Sequence, residues 1–203
     1  MHVDYFQVGA HVGPSKEDGL FNINLENKTL ILIEPVPHLF KQLKDNYSEK
    51  SKINNIVFKN IAISNKDSII QLYTPSPTND WSNNPSWATQ LTSVNENHIR
   101  MHIPHLLVDT INVDCYRLNT IIKDMDISSI DNLLVDTEGH DYDILMDLDL
   151  SIVKPKNITF EHSHMDGVFT KGERYNKLLE HFIMNGYVKV KEDVYDTTIK
   201  LTE

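Results

Sequence analysis

Two glycines follow the first strand-like run of this chain, and a carboxylate closes the second run about twenty residues later. The first run ends at Val8 and leads into Gly9 and Gly13, which permit a tight turn close to a ligand. The second run, 30–33, is continuously apolar and ends at Glu34. In parallel α/β sheets such an acid accepts hydrogen bonds from ribose hydroxyls, so the pattern predicts an adenosine-containing cofactor at the carboxyl edge of a sheet.

Strand-like segments alternate with segments of helical period along most of the chain. The strand-like segments are 3–8, 30–33, 56–58, 111–113, 132–135 and 157–160, and the helical ones are 36–47, 118–125, 142–148 and 175–183. This alternation predicts a doubly wound, mostly parallel α/β sheet of the Rossmann-like kind, with 187–190 and 198–201 as an antiparallel C-terminal strand pair. The runs 61–63 and 69–73 predict a hairpin. We expect 1–203 to form one domain.

The segment 74–110 interrupts this alternation. Its first half is rich in proline and asparagine, which disfavour regular structure, although 95–101 can form a short helix. It also contains both tryptophans, Trp81 and Trp87. A loop of this length in a compact domain is usually functional, so we expect a lid or a substrate wall, and the alternative is a disordered insertion.

Composition excludes several classes of function. The net charge of −10 argues against nucleic acid as a substrate, because such binding needs a cationic surface against the phosphates. The sequence has no apolar run of membrane-spanning length and no basic-then-apolar signal pattern, so we expect no membrane span and a cytoplasmic location. The single cysteine, Cys115, excludes an internal disulfide framework and a thiolate zinc cluster. The oligomeric state stays open.

The first turn differs from that of the dinucleotide dehydrogenases. Three residues separate Gly9 from Gly13, which gives the spacing G-x-x-x-G. His11 and Pro14 occupy the second and third glycine positions of the dinucleotide motif. A pyrophosphate would therefore be held poorly, and the chain also has no nucleoside-triphosphate loop. The looser turn suits S-adenosylmethionine, whose amino-acid tail carries no phosphate.

Three blocks of the sequence occur in the order and spacing of a known family. The blocks are 8–13 (VGAHVG), 33–40 (IEPVPHLF) and 135–141 (VDTEGHD). Together they resemble the FkbM-type S-adenosylmethionine-dependent methyltransferases, whose E-P-x-P-x-x-F and D-x-E-G-H-E segments match the second and third blocks. The resemblance implies O-methylation of a hydroxyl on a sugar, a glycan or a related natural product. The expected partner is then a small-molecule or carbohydrate acceptor.

The cofactor contacts are expected at the ends of the first, second, third and fourth strands of the predicted sheet. The residues are Gln7, Gly9, His11, Gly13, Glu34, Pro35, Asn60, Ile61 and Asp136. Asn60 and Ile61 rest on topology alone, since adenine would lie there. Gln7 departs from the family, which usually carries an acid there to pair with the ammonium of the cofactor. An amide in that place weakens the charge complement.

The catalytic candidates follow the fourth and fifth strands, and they are His140, Glu138 and Glu161. His140 has an ordinary pKa suited to a general base, and Glu138 can orient it, take the proton or hold the sugar. We expect no metal. A divalent ion such as Mg²⁺ or Mn²⁺ is the weaker alternative, with Asp136, Glu138, Glu161 and His162 as its ligands.

Other interpretations remain open from the sequence. Asp141 can simply cap the next helix, and His162 and His164 can be ordinary loop histidines. A nucleotide-cofactor oxidoreductase or a sugar-nucleotide enzyme would have the same sheet, although the missing glycines count against it. A methyltransferase-like binding module without catalysis is the alternative that Gln7 keeps open. The chain begins almost at the first strand, so we expect no N-terminal helical extension.

Overall fold

The computed structural model describes residues 1–13, 20, 23–48 and 55–202, so Pro14 of the first turn lies outside the described residues. The strands are β1 His2–Val8, β2 Thr29–Ile33, β3 Asn55–Lys59, β4 Ala62–Ser64, β5 Ser68–Pro75, β6 Val108–Arg117, β7 Ser129–Val135, β8 Asn157–Glu161, β9 Tyr187–Glu192 and β10 Asp196–Leu201. The helices are α1 Pro37–Ser48, α2 His98–His102, α3 Leu118–Asp124, α4 Asp141–Met146 and α5 Glu173–Met184, with a 3₁₀ turn at Ser86–Gln90. The predicted helical segments therefore contain α1, α3, α4 and α5, apart from one or two residues at some ends.

Seven strands form the main sheet in the order β3-β2-β1-β7-β8-β10-β9. The first five strands in this order, β3, β2, β1, β7 and β8, run parallel. Strand β10 pairs antiparallel with both β8 and β9. This confirms the doubly wound, mostly parallel sheet and the antiparallel C-terminal pair. The strand order changes direction between β1 and β7, and in such sheets the ligand crevice lies at the carboxyl ends of these strands.

Both faces of the main sheet are covered, and β2 illustrates how. Ile31 and Ile33 belong to the largest apolar core, whereas Leu30 and Leu32 pack in a second core together with Leu43 of α1. Successive side chains of a strand point to opposite faces, so a strand with helices on both sides has to be apolar throughout. Burying each of these side chains contributes roughly 1.5–3 kcal/mol.

The predicted hairpin is wrong. The second sheet has the order β4-β6-β5, so β6 lies between the two strands that were expected to pair. Strand β4 pairs parallel with β6, and β5 pairs antiparallel with it from Ser68 opposite Cys115 to Pro75 opposite Val108. Asp67, in the short turn between them, accepts hydrogen bonds from the Arg117 backbone N–H and the Thr120 hydroxyl. The turn is thus fixed to the end of β6. Strands β4 and β5 each pair with the distant β6 and not with each other, as a hairpin would require.

The residues 76–107 connect β5 to β6 and are called here the connecting segment. They form a small apolar core of their own from Ala88, Leu91, Ile99, Ile103 and Leu106. Trp81 packs against this core, whereas Trp87 is 42% exposed. The segment is therefore folded, unlike a disordered insertion, and the short helix expected at 95–101 is α2, shifted toward the C-terminus. Within the described part of the chain, no helix is both long and apolar enough to span a membrane.

Candidate functional site

A cavity opens at the carboxyl ends of β1, β2 and β7, where the topology predicts a ligand crevice. Its wall also includes residues of β4, β5 and the connecting segment, among them Ile63, Leu72 and Ser93. Most of the site residues predicted from the sequence line this cavity. They are Gln7, Gly9, His11, Gly13, Glu34, Pro35, Ile61, Asp136, Glu138 and His140.

The two glycines of the first turn are required by contacts inside the protein. Gly9 has a φ of +81°, and a Cβ atom there would lie 1.8 Å from the carbonyl oxygen of Asp136. Gly13 has a φ of +77°, and a Cβ atom there would meet the side chains of Leu43 and Tyr47 on α1. Glycine therefore lets the turn pack directly on the end of β7 and on α1, which brings backbone to the cavity wall.

Glu34 is fixed at the end of β2 by backbone hydrogen bonds. Its two carboxylate oxygens accept the N–H groups of His11 at 2.9 Å and Val36 at 2.8 Å. Burial of the side chain, which is only 4% exposed, raises the pKa of Glu34 to about 7, although both N–H groups oppose the shift. The carboxylate is thus oriented before any ligand arrives, and it also holds the first turn in place.

Asn60 supports the same loop from behind. Its side-chain amide donates hydrogen bonds to the carbonyl oxygens of Glu34 at 2.8 Å and Pro35 at 2.9 Å. Among the described residues that line the cavity, the neighbouring Ile61 is present and Asn60 is not. Asn60 therefore holds the loop after β2 in place. It does not line the cavity in which the topology suggested that it would contact adenine.

Asp136 and His140 lie on the β7 side of the cavity. The Asp136 side chain is open to the cavity and enclosed by protein elsewhere. This enclosure raises the pKa of Asp136, and the negative charges of Glu161 and Glu138 raise it further. His140 Nε2 lies 2.8 Å from the hydroxyl of Ser64, and its Nδ1 lies 3.5 Å from a carboxylate oxygen of Asp143. Burial lowers the pKa of His140, so the imidazole is neutral near pH 7.

These features can be compared with known proteins. Residues 7–188 match the model of the methyltransferase FkbM domain. The chain belongs to this family. The crystal structure of methyltransferase FkbM from Methylobacillus flagellatus KT is similar, with a TM-score of 0.54, 14% identity, and coverage of 98% of this chain and 44% of that chain. This FkbM chain thus spans less than half the length of that protein.

A second similar structure is precorrin-6y C5,15-methyltransferase from Geobacter metallireducens GS-15. Its TM-score is 0.45 at 12% identity, and the match covers 98% of this chain and 82% of that chain. No curated protein sequence matches this FkbM chain. The sheet order with its antiparallel C-terminal strands is that of the class I methyltransferases.

Next to the cavity, the acids of the FkbM chain meet His98, which the sequence did not reveal, and His164, for which the sequence left an ordinary loop position open. His98 Nε2 lies 2.8 Å from Glu138 Oε2, and His164 Nδ1 lies 3.2 Å from the same oxygen and contacts Glu161 Oε1. Burial would raise the pKa of Glu138, but its hydrogen bonds with His164 and His98 lower it to about 2. Burial would likewise lower the pKa of His164, and its contacts with Glu138 and Glu161 raise it to about 10.

A second cavity adjoins the first and shares Glu138 and His140 with it. Its wall also includes His98, His164 and Arg174. Among the described residues, Glu161 lines neither of these two cavities: its side chain is buried, and its carboxylate contacts His164. Of the three predicted catalytic residues, His140 and Glu138 therefore reach the cavities, and Glu161 can act only through a neighbour.

His162 does not join the acids with which the sequence grouped it. It is 1% exposed, its Nδ1 lies 3.0 Å from the Thr197 hydroxyl, and its ring packs against Tyr175. Burial among these neighbours lowers its pKa. His162 is thus a core residue between β8 and β10, and His164, two residues later, is the histidine that turns back to the acids. Asp136 likewise lies outside the converging sets of ligand atoms found among the described residues.

Asp141 has a different role from the helix cap that the sequence left open as an alternative. One of its carboxylate oxygens accepts hydrogen bonds from the Thr137 hydroxyl at 2.8 Å and the Thr137 N–H at 3.3 Å. The other accepts the backbone N–H of Glu161 at 3.3 Å. The fully buried side chain of Asp141 therefore ties the end of β7 to the end of β8.

Proposed function

We propose that this chain transfers a methyl group from S-adenosylmethionine to a hydroxyl group of a sugar, a glycan or a related natural product. One observation carries the proposal: Glu34, Asp136 and His140 line a single cavity at the carboxyl ends of β1, β2 and β7. The FkbM family supports methyl transfer as the reaction. The choice of donor, acceptor and catalytic residues is our inference from the cavity.

The residues of the cavity fit this cofactor. Glu34 offers a buried carboxylate, held in place by two backbone N–H groups, to the ribose hydroxyls. Ile61, Ile63 and Leu72 give the same cavity an apolar surface on which adenine can pack. Asp136 places a carboxyl group in the cavity that the positive charge of the ammonium group would hold in its ionised form, and this would compensate for the uncharged Gln7. When bound, the cofactor supplies an electrophilic methyl group on a cationic sulfur.

His140 is the proposed general base. Asp143 faces its Nδ1 and favours a proton there, which leaves Nε2 as the atom that accepts a proton. Because burial lowers the pKa of His140, the imidazole is neutral and can act as a base at physiological pH. An acceptor hydroxyl placed at Nε2, where Ser64 now lies, would lose its proton to this nitrogen as its oxygen attacks in line.

Glu138 and Glu161 have supporting roles in this proposal. Glu138 is ionised and lines both cavities, so it can accept a hydrogen bond from the acceptor and hold it beside His140. Glu161 contacts His164, which in turn contacts Glu138, so Glu161 is a positioning residue. The connecting segment acts as a lid or wall, since Gln90, Thr92 and Ser93 face the cavity. The exposed Trp87 is the aromatic surface on which a carbohydrate can stack.

The first experiment is a calorimetric titration with S-adenosylhomocysteine, with NAD as the control ligand. We expect micromolar binding of the first and none of the second. Glu34→Ala should weaken this binding by about 1–3 kcal/mol, the cost of leaving buried hydrogen-bonding groups without a partner. His140→Ala should leave the affinity unchanged and slow transfer of labelled methyl groups to a panel of sugars.

Three results would contradict this assignment. Binding of NAD alone would indicate an oxidoreductase. Binding of S-adenosylhomocysteine without turnover of any acceptor would identify a binding module that lacks catalysis. Equal loss of affinity in both variants would mean that the separate roles given to Glu34 and His140 are wrong.

A further inference from the structure

Three imidazole rings converge beside the second cavity, and we call them the histidine cluster. His98 and His102 lie one turn apart on α2, and His164 follows β8. The ring centroids are 4.9 Å apart for His98 and His102, 4.8 Å for His98 and His164, and 4.9 Å for His102 and His164. One nitrogen of each ring lies within 4.8 Å of the corresponding nitrogen of the other two. This spacing lets three nitrogens face one point.

Two nitrogens of the histidine cluster are buried and have no hydrogen-bond partner among the described residues. They are His102 Nε2 and His164 Nε2. A buried polar atom without a hydrogen-bond partner loses its interactions with water and gains none in return, so such an atom needs an explanation. A metal ion that accepts a lone pair from each nitrogen, and that releases the proton of His164 Nε2 to solvent on binding, would satisfy them together.

The carboxylates around the cluster have the arrangement of an outer shell. Glu161 Oε1 and Glu138 Oε2 approach Nδ1 of His164, which is the nitrogen opposite the unsatisfied Nε2. Glu138 Oε2 also lies 2.8 Å from His98 Nε2. A carboxylate on the far nitrogen of a ligating imidazole fixes the ring and its tautomer and raises its basicity. The same two carboxylates would balance the charge of a divalent ion.

We propose that His98, His102 and His164 bind one divalent transition-metal ion such as Zn²⁺. Imidazole nitrogen favours zinc and its neighbours in the first transition row, whereas Mg²⁺ prefers oxygen ligands. The ion would lie at the second cavity, whose wall includes His98 and His164, and a fourth position would face that cavity. This site differs in both residues and metal from the oxygen-rich one considered from the sequence. It does not depend on which cofactor occupies the first cavity.

The test begins with the full chain stripped of metal by a chelator and titrated with Co²⁺ and with Zn²⁺. We expect one equivalent of Co²⁺ per chain with the intense visible absorption bands of a four-coordinate site, and displacement of these bands by Zn²⁺. His102→Ala and His98→Ala should each weaken binding on the order of a hundredfold or more. Metal content measured by mass spectrometry after purification in zinc-containing medium should fall in parallel.

His105→Ala is the matched control, because His105 lies in the same segment but is exposed and contacts Asn84. It should bind Co²⁺ like the unmodified chain. His102→Asn provides a second variant of similar size if His102→Ala does not fold, and circular dichroism reports on folding. Absence of the visible bands in the unmodified chain would overturn the proposal. So would equal Co²⁺ affinity in the His102 variants and the His105 variant.

Discussion

The first cavity and the histidine cluster meet at Glu138, but the protein builds them in different ways. Around the cavity, the first turn is held by backbone contacts, with Gly9 packed on Asp136 and Glu34 bonded to the His11 N–H. The cluster instead depends on the connecting segment, which reaches the main sheet through side chains. Ser93 donates a hydrogen bond to the Glu138 carbonyl, and His98 contacts the Glu138 carboxylate.

The two regions should therefore differ in how they unfold. Contacts that involve backbone at the centre of the main sheet break only when the domain unfolds, whereas a segment with its own small core can open by itself. The cavity should therefore behave as part of a rigid scaffold. The connecting segment should behave as a separate unit with lower stability, as expected for a lid or wall over a binding site.

The largest effect is expected at the cavity. Gly9→Ala would place a Cβ atom 1.8 Å from the Asp136 carbonyl oxygen at a φ of +81°, so the turn or the end of β7 has to move. We expect a loss of global stability on the order of 4 kcal/mol from backbone strain and overpacking together, measured by chemical denaturation.

Gly186→Ala separates the two causes. Its φ is also positive, at +92°, but a Cβ atom there has only ordinary contacts, the nearest at 3.8 Å. Its cost should be that of backbone strain alone, about 1 kcal/mol. Equal losses in the two variants would show that the close approach to Asp136 does not matter.

The second effect is expected in the connecting segment. Ile99→Ala removes a fully buried side chain from the small core and should cost about 3 kcal/mol locally. Hydrogen exchange followed by mass spectrometry should show lost protection in 76–107 with little change in β1, β2 and β7. The matched variant Ile31→Ala, in the largest core, should reduce protection throughout the domain. A global loss in both variants would break the distinction between the two regions.

The smallest effect is a pH dependence that belongs to the cavity. Burial raises the pKa of Glu34 to about 7 from an ordinary value of 4.5, so the folded chain holds this proton more tightly than the unfolded chain does. The resulting stabilisation is complete below the unfolded pKa and is lost as the pH rises through the folded pKa. Between about pH 5.5 and pH 8 the loss should be about 2 kcal/mol.

Glu34→Gln tests this dependence, because an amide does not titrate. Denaturation curves at the two pH values should show a smaller loss in the variant, by about 2 kcal/mol, since other groups contribute equally to both proteins. Ile69→Ala, which changes an exposed side chain that does not titrate, should keep the pH dependence of the unmodified chain. An identical slope in Glu34→Gln would mean that Glu34 does not carry this proton.

The sequence predicts the side of the cavity that β1, β2 and β7 form, because the polar residues there follow strands that the periodicity reveals. Glu34 and Asp136 close apolar runs, and parallel strands bring such ends to one edge of the sheet. The sequence fails where distant pairing decides, as when β6 inserts between β4 and β5. It also fails for His98 and His102, whose meeting with His164 depends on how an irregular segment folds back. The pair of histidines at helical spacing was the signal that could have found them.

The apolar strand β2 has a consequence for register. Because Leu30 to Ile33 are all buried, a shift of one residue would exchange one set of apolar side chains for another, and polarity would give little penalty. Hydrogen bonds to two acids fix the register instead. Asp4 of β1 accepts the N–H of Thr29 at the start of β2, and Glu34 at the end of β2 accepts the N–H of His11. The Glu34 carboxylate, which lines the cavity, therefore also helps to fix the register of β2 against β1.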